Sequence, residues 1–293
     1  MSVPLVATVR RELGDRLFAR VAGPEGPRRR DRIHDTPGPR WFPDGSPVRR
    51  VHGDAAMFVG GIRALLLQSL HPLAMAGVAE HSGFRGDPWG RLQRTSHFLA
   101  VTTFGPAVDA EAMVAAVRRI HAGVVGHDTD GTPYAASDPH LLRWVHVAEV
   151  DSFLASHQRY GARRLDADDA DTYVLQTGRV ARELGVLDPP RSVRELEAQL
   201  RDYRDELRGT PPAREAARFL LLHPPLPVPA RVPYAALSAA AVNLMPGWSR
   251  RMLLLPRLPV TETVVVRAAG TAVTATIRWA MTPPRSDLST TRE

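Results

Sequence analysis

The amino-acid sequence predicts an all-α fold of about ten helices in a single domain, on three observations. Apolar residues recur at helical spacing from Asp54 to Met281. Asp87-Pro88 and Asp138-Pro139 each set a capping carboxylate directly before a proline suited to the first helical turn. The run richest in β-branched residues, Thr263 to Val266, stands alone, and a lone strand would have no partner for its backbone groups, so it too is read as helix.

Residues 2–20 carry Leu5, Val9, Leu13 and Leu17 at four-residue spacing and predict a short helix. The Pro-, Gly- and Arg-rich stretch that follows, to about Pro47, reads as irregular, so residues 1–47 form an arm. Asp54 caps a helix to about Ser69, and Pro72 begins another through Glu80. Asp87-Pro88 opens a helix through Val101 that ends at Gly105-Pro106, and Asp109 opens one ending near Gly126. Asp128 to Pro133 has turn chemistry throughout, after which Asp138-Pro139 starts a helix to about Gly161. Asp166 to Gly185 is the next helix, and the capping box Ser192-Val-Arg-Glu195 opens another through Leu207. Pro211 to His223, Ala230 to Leu244 and Thr261 to Met281 complete the set. The domain thus spans 48–283, packed as layers around a central helix pair, and residues 284–293 read as a disordered tail.

Composition narrows the chemistry. The chain has no cysteine, which removes disulfides, thiolate nucleophiles, iron–sulfur clusters and Cys-ligated zinc or haem. It has no lysine either, so Schiff-base and P-loop chemistry are excluded, and histidine, with 11 copies, is the strongest metal ligand present. The formal charge of +7 comes from arginines spread along the whole length among Asp and Glu, a pattern of solvated, salt-bridged faces rather than a nucleic-acid patch. Arg10-Arg11 is not followed by the apolar run of an export signal, and no apolar run approaches a membrane span, so the expectation is a cytoplasmic protein with peripheral membrane contact left open.

Candidate chemistry lies where polar residues interrupt apolar helical faces. His121 shares a face with Val114, Val117 and Val124, and reads either as a core histidine bonded to a carbonyl or as a haem-iron ligand. Arg91, Arg94 and Thr95 stand at i, i+3 and i+4 and can face one site, offering guanidinium groups for a propionate or an oxygen-derived anion beside a hydroxyl. They read equally as a surface arginine pair with an ordinary helical threonine. His146 sits with Leu142, Val150 and Phe153 on another apolar face and is the rival ligand. His71 and His81 bracket a proline-started helix and read as structural. The single His146-x-x-Glu149 is poor support for a di-iron bundle, which needs paired Glu-x-x-His motifs.

Arg91-x-x-Arg94-Thr95 followed by Arg118-Arg-Ile-His121 resembles the pattern of the family that joins latex clearing proteins, the bacterial rubber oxygenases, with the oxygenase of mycophenolic acid biosynthesis. Gly53-Asp54-Ala, Gln68 to Pro72, Ala76-Gly77-Val78, His81-Ser82, Gly126, Tyr134, Asp138-Pro139, Trp144-Val-His146 and Asp151-Ser152 extend the likeness to actinobacterial members over roughly 50–250. The resemblance implies a globin-like helical core enclosing one haem b, with dioxygen chemistry at the iron. By that resemblance His121 matches the proximal ligand, and Arg91 and Thr95 match the polar pair near the haem. Some latex clearing proteins carry, at the position of Arg94, a lysine that occupies the distal site; arginine stays protonated and does not readily ligate iron.

The functional expectation is a haem b-dependent oxygenase that uses dioxygen on an apolar, isoprenoid or lipid-like small molecule, with oxidative cleavage of a carbon–carbon double bond as the reaction the resemblance favours. The alternative is a non-enzymatic α-helical protein that binds a lipid or a partner and holds no haem.

Overall fold

The structure, a computed structural model, describes residues 3–81, 86–257 and 259–282. Ser82 of the His81-Ser82 pair and the tail from 284 lie outside the described residues. The elements in order are α1 (Val3–Ala22), α2 (Gly26–Asp35), α3 (Pro47–His52), α4 (Met57–Gln68), α5 (Pro72–His81), α6 (Pro88–Phe104) and α7 (Ala107–Ala122). A two-stranded hairpin follows, β1 (Val125–His127) and β2 (Pro133–Ala135). After it come α8 (Pro139–Tyr160), α9 (Ala167–Leu184), α10 (Val193–Asp202) with a 3-10 turn over Tyr203–Asp205, α11 (Pro211–Leu222), α12 (Val228–Leu244) and α13 (Gly247–Met252). A final helical run joins α14 (Pro259–Thr261), a π turn (Glu262–Val266) and α15 (Arg267–Met281). The fold is all-α, as expected, and Thr263 to Val266 is helical.

Local chemistry explains most boundaries. Asp87, Asp138, Asp166 and Ser192 each accept a hydrogen bond from a first-turn backbone N–H, at 2.8 Å from Gly90, 2.8 Å from His140, 2.8 Å from Asp169 and 3.2 Å from Glu195. Glu195 reaches back to the Arg191 N–H at 2.8 Å, completing a capping box offset by one residue. Gly185 closes α9 at φ 112°, a left-handed conformation in which its N–H bonds Ala181 and Arg182.

Three elements depart from the expectation. The segment to Pro47 is not irregular throughout: α2 forms in it, with Pro27 in its first turn, because proline there fixes a helical φ and the arginines that follow are good helix formers. The helix expected from Asp54 to about Ser69 is α4, which begins three residues later at Met57 with Ala56 at its N-cap; Asp54 instead folds the turn before it by accepting from Ala56 N at 2.7 Å, and the short helix α3, ending at His52, precedes that turn. The helix opened near Asp109 ends at Ala122, and its expected last turn is instead β1, which pairs antiparallel with β2 around the Asp128–Gly131 turn. Asp128 Oδ1 accepts from the N–H groups of Asp130 and Thr132 and folds that turn.

The core is organised on the crossing of α4 and α8, and the structure thereby identifies the two helices of the central pair, which the sequence left unnamed. Val59, Leu66 and Leu67 of α4 and Trp144, Val147 and Val150 of α8 are all buried. Gly60 sets the approach: a Cβ there would stand 2.7 Å from Phe153 Cδ1 and 3.2 Å from Phe153 Cα. One turn on, Arg63 is buried and pairs with Asp151 at 2.7 Å, bonds Ser152 Oγ at 2.7 Å and reaches the Leu244 carbonyl at 3.0 Å, tying α4 and α8 to α12. Asp54 does the same at the other end of α4, accepting from Arg278 at 2.7 and 3.1 Å and from Ala162 N at 3.0 Å. Burial alone would raise the Asp54 carboxyl, but the hydrogen bonds from Arg278, Ala56 and Ala162 more than reverse this and hold it below its usual range. Helix α12 lies on α4, α9 and α10 on α8, α6 and α7 pack together, and α15 joins α12 and α1.

Gly60→Ala is therefore expected to lower stability by about 1–3 kcal/mol, since Phe153 and its backbone must both give way. Urea unfolding followed by circular dichroism measures this, and a midpoint equal to that of the wild type would show that the crossing is not at its limit.

Candidate active site

A partly open pocket with a cavity volume of about 110 Å³ lies beside the central pair. Helix α8 forms one wall with Leu142, Val145, His146, Glu149, Val150 and Phe153, the side chains that follow one another at helical spacing along a single face. Helix α6 contributes Phe98, Leu99, Thr102 and Thr103, and α9 contributes Tyr173, Thr177, Val180 and Leu184. His121 enters from the end of α7, and His52 from the end of α3. Most of this lining is hydrocarbon, so the few polar groups act in a poorly solvated medium.

His121 and His146, predicted as candidate ligands from sequence, are brought to the same pocket. Neither has a hydrogen-bond partner among the described residues; the sealed nitrogen is Nδ1 in His121 and Nε2 in His146. In His121 this leaves Nε2 as the accessible nitrogen. Burial lowers the pKa of both, that of His146 to about 4 with help from the charge of Arg182, so both rings are neutral at pH 7 and hold an available lone pair. His121 thus follows the apolar face expected of it, but it does not bond a carbonyl as a core histidine would.

Glu149 stands one turn beyond His146 on the pocket wall. Burial raises its carboxyl to about 7, which makes it a group that holds or releases a proton near neutrality. His52 is engaged: its Nδ1 lies 2.8 Å from Thr103 Oγ1 and its Nε2 3.4 Å from the Tyr173 hydroxyl. Its pKa falls to about 4 through burial and the proximity of His157, and burial pushes the Tyr173 phenol well up.

Arg91, Arg94 and Thr95 are not among the residues lining the pocket. They lie on α6 one to three turns ahead of Leu99 and Thr102, which are. Arg91 is partly buried, and burial and the neighbouring Arg94 lower its pKa. Arg94 and Thr95 are exposed, and Arg94 pairs with Asp87 at 3.3 Å. The i, i+3, i+4 spacing places the three on neighbouring turns, without gathering them around His121.

Sequence reasoning missed His52, Thr102, Thr103 and Tyr173, and it noted Glu149 only in weighing a di-iron motif. The spacing of Glu149 with His146, Val150 and Phe153 on one apolar face of α8 was a usable signal for that residue. No such signal existed for His52, whose place at the pocket depends on where α3 ends.

The residues fit a haem group in their donor chemistry. Two neutral imidazoles without protein partners stand in an apolar wall, and the chain offers no thiolate or lysine to compete for iron.

The domain is all-helical and presents imidazoles on an apolar pocket wall. Residues 49–278 match the family model described as ER-bound oxygenase mpaB/B'/rubber oxygenase, catalytic domain, and the chain belongs to that family. No curated protein and no solved structure matches the chain.

Two outcomes follow from the buried groups. In the fold Glu149 binds its proton up to about pH 7, whereas an unfolded glutamate releases it near 4.5. The folded state therefore holds more protons in that window, and stability falls as pH rises through it. Glu149→Gln should remove this fall and be more stable than the wild type at pH 8 by about 1–3 kcal/mol, read from urea midpoints. For His52 the sign is opposite: the unfolded ring takes up a proton below 6.5 and the folded ring only below about 4, so stability rises with pH between those values. His52→Gln should flatten that rise, and an unchanged slope would mean that the ring is solvated.

Proposed function

We propose that this protein is a haem b-dependent oxygenase that uses dioxygen on an apolar, isoprenoid or lipid-like small molecule. The observation that carries the reading is the pair of partnerless neutral imidazoles, His121 and His146, on the apolar pocket of an oxygenase-family domain. His121 would be the residue that holds the haem iron, since its accessible nitrogen is Nε2 and the family resemblance carries the ligand to this position. His146 lines the pocket as a neutral ring that accepts or donates one hydrogen bond.

Haem iron, when bound, supplies the activation of dioxygen. The protein supplies the surroundings. The hydrocarbon walls from Phe98, Leu99, Val150 and Phe153 admit an apolar substrate and displace water. Glu149, neutral below about pH 7, holds a proton on its carboxyl close to the imidazoles and can return it after donation. Arg91, the partly buried member of its cluster, would be the guanidinium for a haem propionate, with the exposed Arg94 and Thr95 beside it on α6. Oxidative cleavage of a carbon–carbon double bond is the reaction we favour for such a pocket.

Expression with haem supplied should give a protein with a Soret band. His121→Ala should lose the band or change its position and the iron ligation, whereas His146→Ala should keep axial ligation. Absence of haem uptake by the folded wild type, or a spectrum untouched by His121→Ala, overturns the assignment; the first result would leave a helical protein that binds an apolar ligand without haem.

A further inference from the structure

A second cluster of ligand-type side chains stands apart from the pocket lining. His71 lies at the break between α4 and α5, His140 in the first turn of α8, and Glu206 just after the 3-10 turn that ends α10. Their ligand atoms all fall within 4.8 Å of one another. Both imidazoles direct Nε2 at the same oxygen, Glu206 Oε2, His71 at 3.3 Å and His140 at 2.7 Å. The His71 side chain is 4% exposed, whereas those of His140 and Glu206 are 42% and 41% exposed, so the cluster has a sealed floor and an open mouth.

The arrangement is held from behind. Tyr203 packs on the His140 ring with centroids 4.7 Å apart, donates its hydroxyl to the His140 carbonyl at 2.8 Å and accepts from Arg143 Nε at 3.0 Å. Trp144 packs near His71 and donates to the Gln68 carbonyl at 3.2 Å, and Arg208 N bonds the Leu70 carbonyl at 2.8 Å. Three chain segments are thereby brought to one point before any ion is considered. His71 Nδ1 is buried without a partner among the described residues, and the other ring nitrogen, Nε2, is the one turned toward the cluster.

We propose that His71, His140 and Glu206 bind one divalent transition-metal ion, with zinc favoured by the ligand set, at a site separate from the oxygenase pocket. Two imidazole nitrogens and one carboxylate oxygen are a common three-ligand set for zinc, with the fourth position left to water. Ligands about 2.0–2.2 Å from a tetrahedral ion stand roughly 3.3–3.6 Å apart. The His71–Glu206 separation already has this value, and the His140–Glu206 pair needs to open by less than about 1 Å, which half-exposed side chains can accommodate. The open mouth supplies the water and the entry path. The ion fastens the α4–α5 junction and the α8 N-terminus to the end of α10, so its binding free energy appears as stability of the folded chain.

The test uses the full-length chain without an affinity tag, freed of metal by chelator and titrated with zinc chloride by calorimetry. Cobalt(II) absorption reports the coordination. One saturable equivalent, a raised melting temperature with zinc and an intense visible cobalt band are expected for the wild type. His140→Ala and Glu206→Gln, both at half-exposed positions that tolerate change, should each weaken zinc binding by at least about tenfold and abolish the thermal shift while keeping helical circular dichroism. Absence of saturable binding in the wild type, or wild-type affinity in a folded His140→Ala protein, overturns the site and identifies the cluster as a hydrogen-bonded bridge.

Discussion

The structure depends on how closely α4 can cross α8. Gly60 removes the side chain that would keep Phe153 away, and Arg63, one turn further, fills the same interface with a charge that must be satisfied where it is buried. Asp151 neutralises it, while Ser152 and the Leu244 carbonyl take its remaining donors, so close packing and ion pairing are achieved by neighbouring positions on one helix face. Such a pair is costly to break from one side only. It gives the crossing a single register, and with it the rotation of α8 that turns His146 and Glu149 toward the pocket.

That rotation sets the electrostatics. An apolar wall leaves a carboxyl and imidazoles poorly solvated, and the same desolvation acts on them in opposite directions, raising Glu149 and lowering His146 and His52. The imidazoles are consequently neutral near pH 7, the state in which such a ring offers a lone pair, while the Glu149 carboxyl stands near its midpoint there and can hold or release a proton. His52 differs from the other two rings because Thr103 and Tyr173 occupy its nitrogens. It buttresses the pocket, whereas His121 and His146 are left with capacity to bind.

The motif likeness and the pocket both draw on α6, α7 and α8, but they do not weigh the same residues. The motif likeness emphasises Arg91, Arg94 and Thr95, while the pocket is lined by the later turns of α6, at Phe98, Leu99, Thr102 and Thr103. A helix carries both sets along one direction, so the polar motif leads toward the pocket without forming its wall. Helix α8 has a comparable double use: His140 at its start faces Glu206, and His146 and Glu149 further along face the pocket.

Local chemistry in the sequence by itself determined the helical class, most of the caps and the apolar faces that carry His121 and His146, because capping carboxylates, proline placement and the helical period act over a few residues. It also determined the family, through motifs whose order survives without any knowledge of contacts. What only the tertiary structure decided was which faces meet. Residues as distant as Arg278 and Asp54, or Glu206 and His71, are brought together by packing of separated helices, and no local period encodes that pairing. The place of His52 was decided in the same way, as were the hairpin that replaced the end of α7 and the displacement of the Glu149 carboxyl toward neutrality: each depends on neighbours supplied by other elements, and on the water that those neighbours exclude.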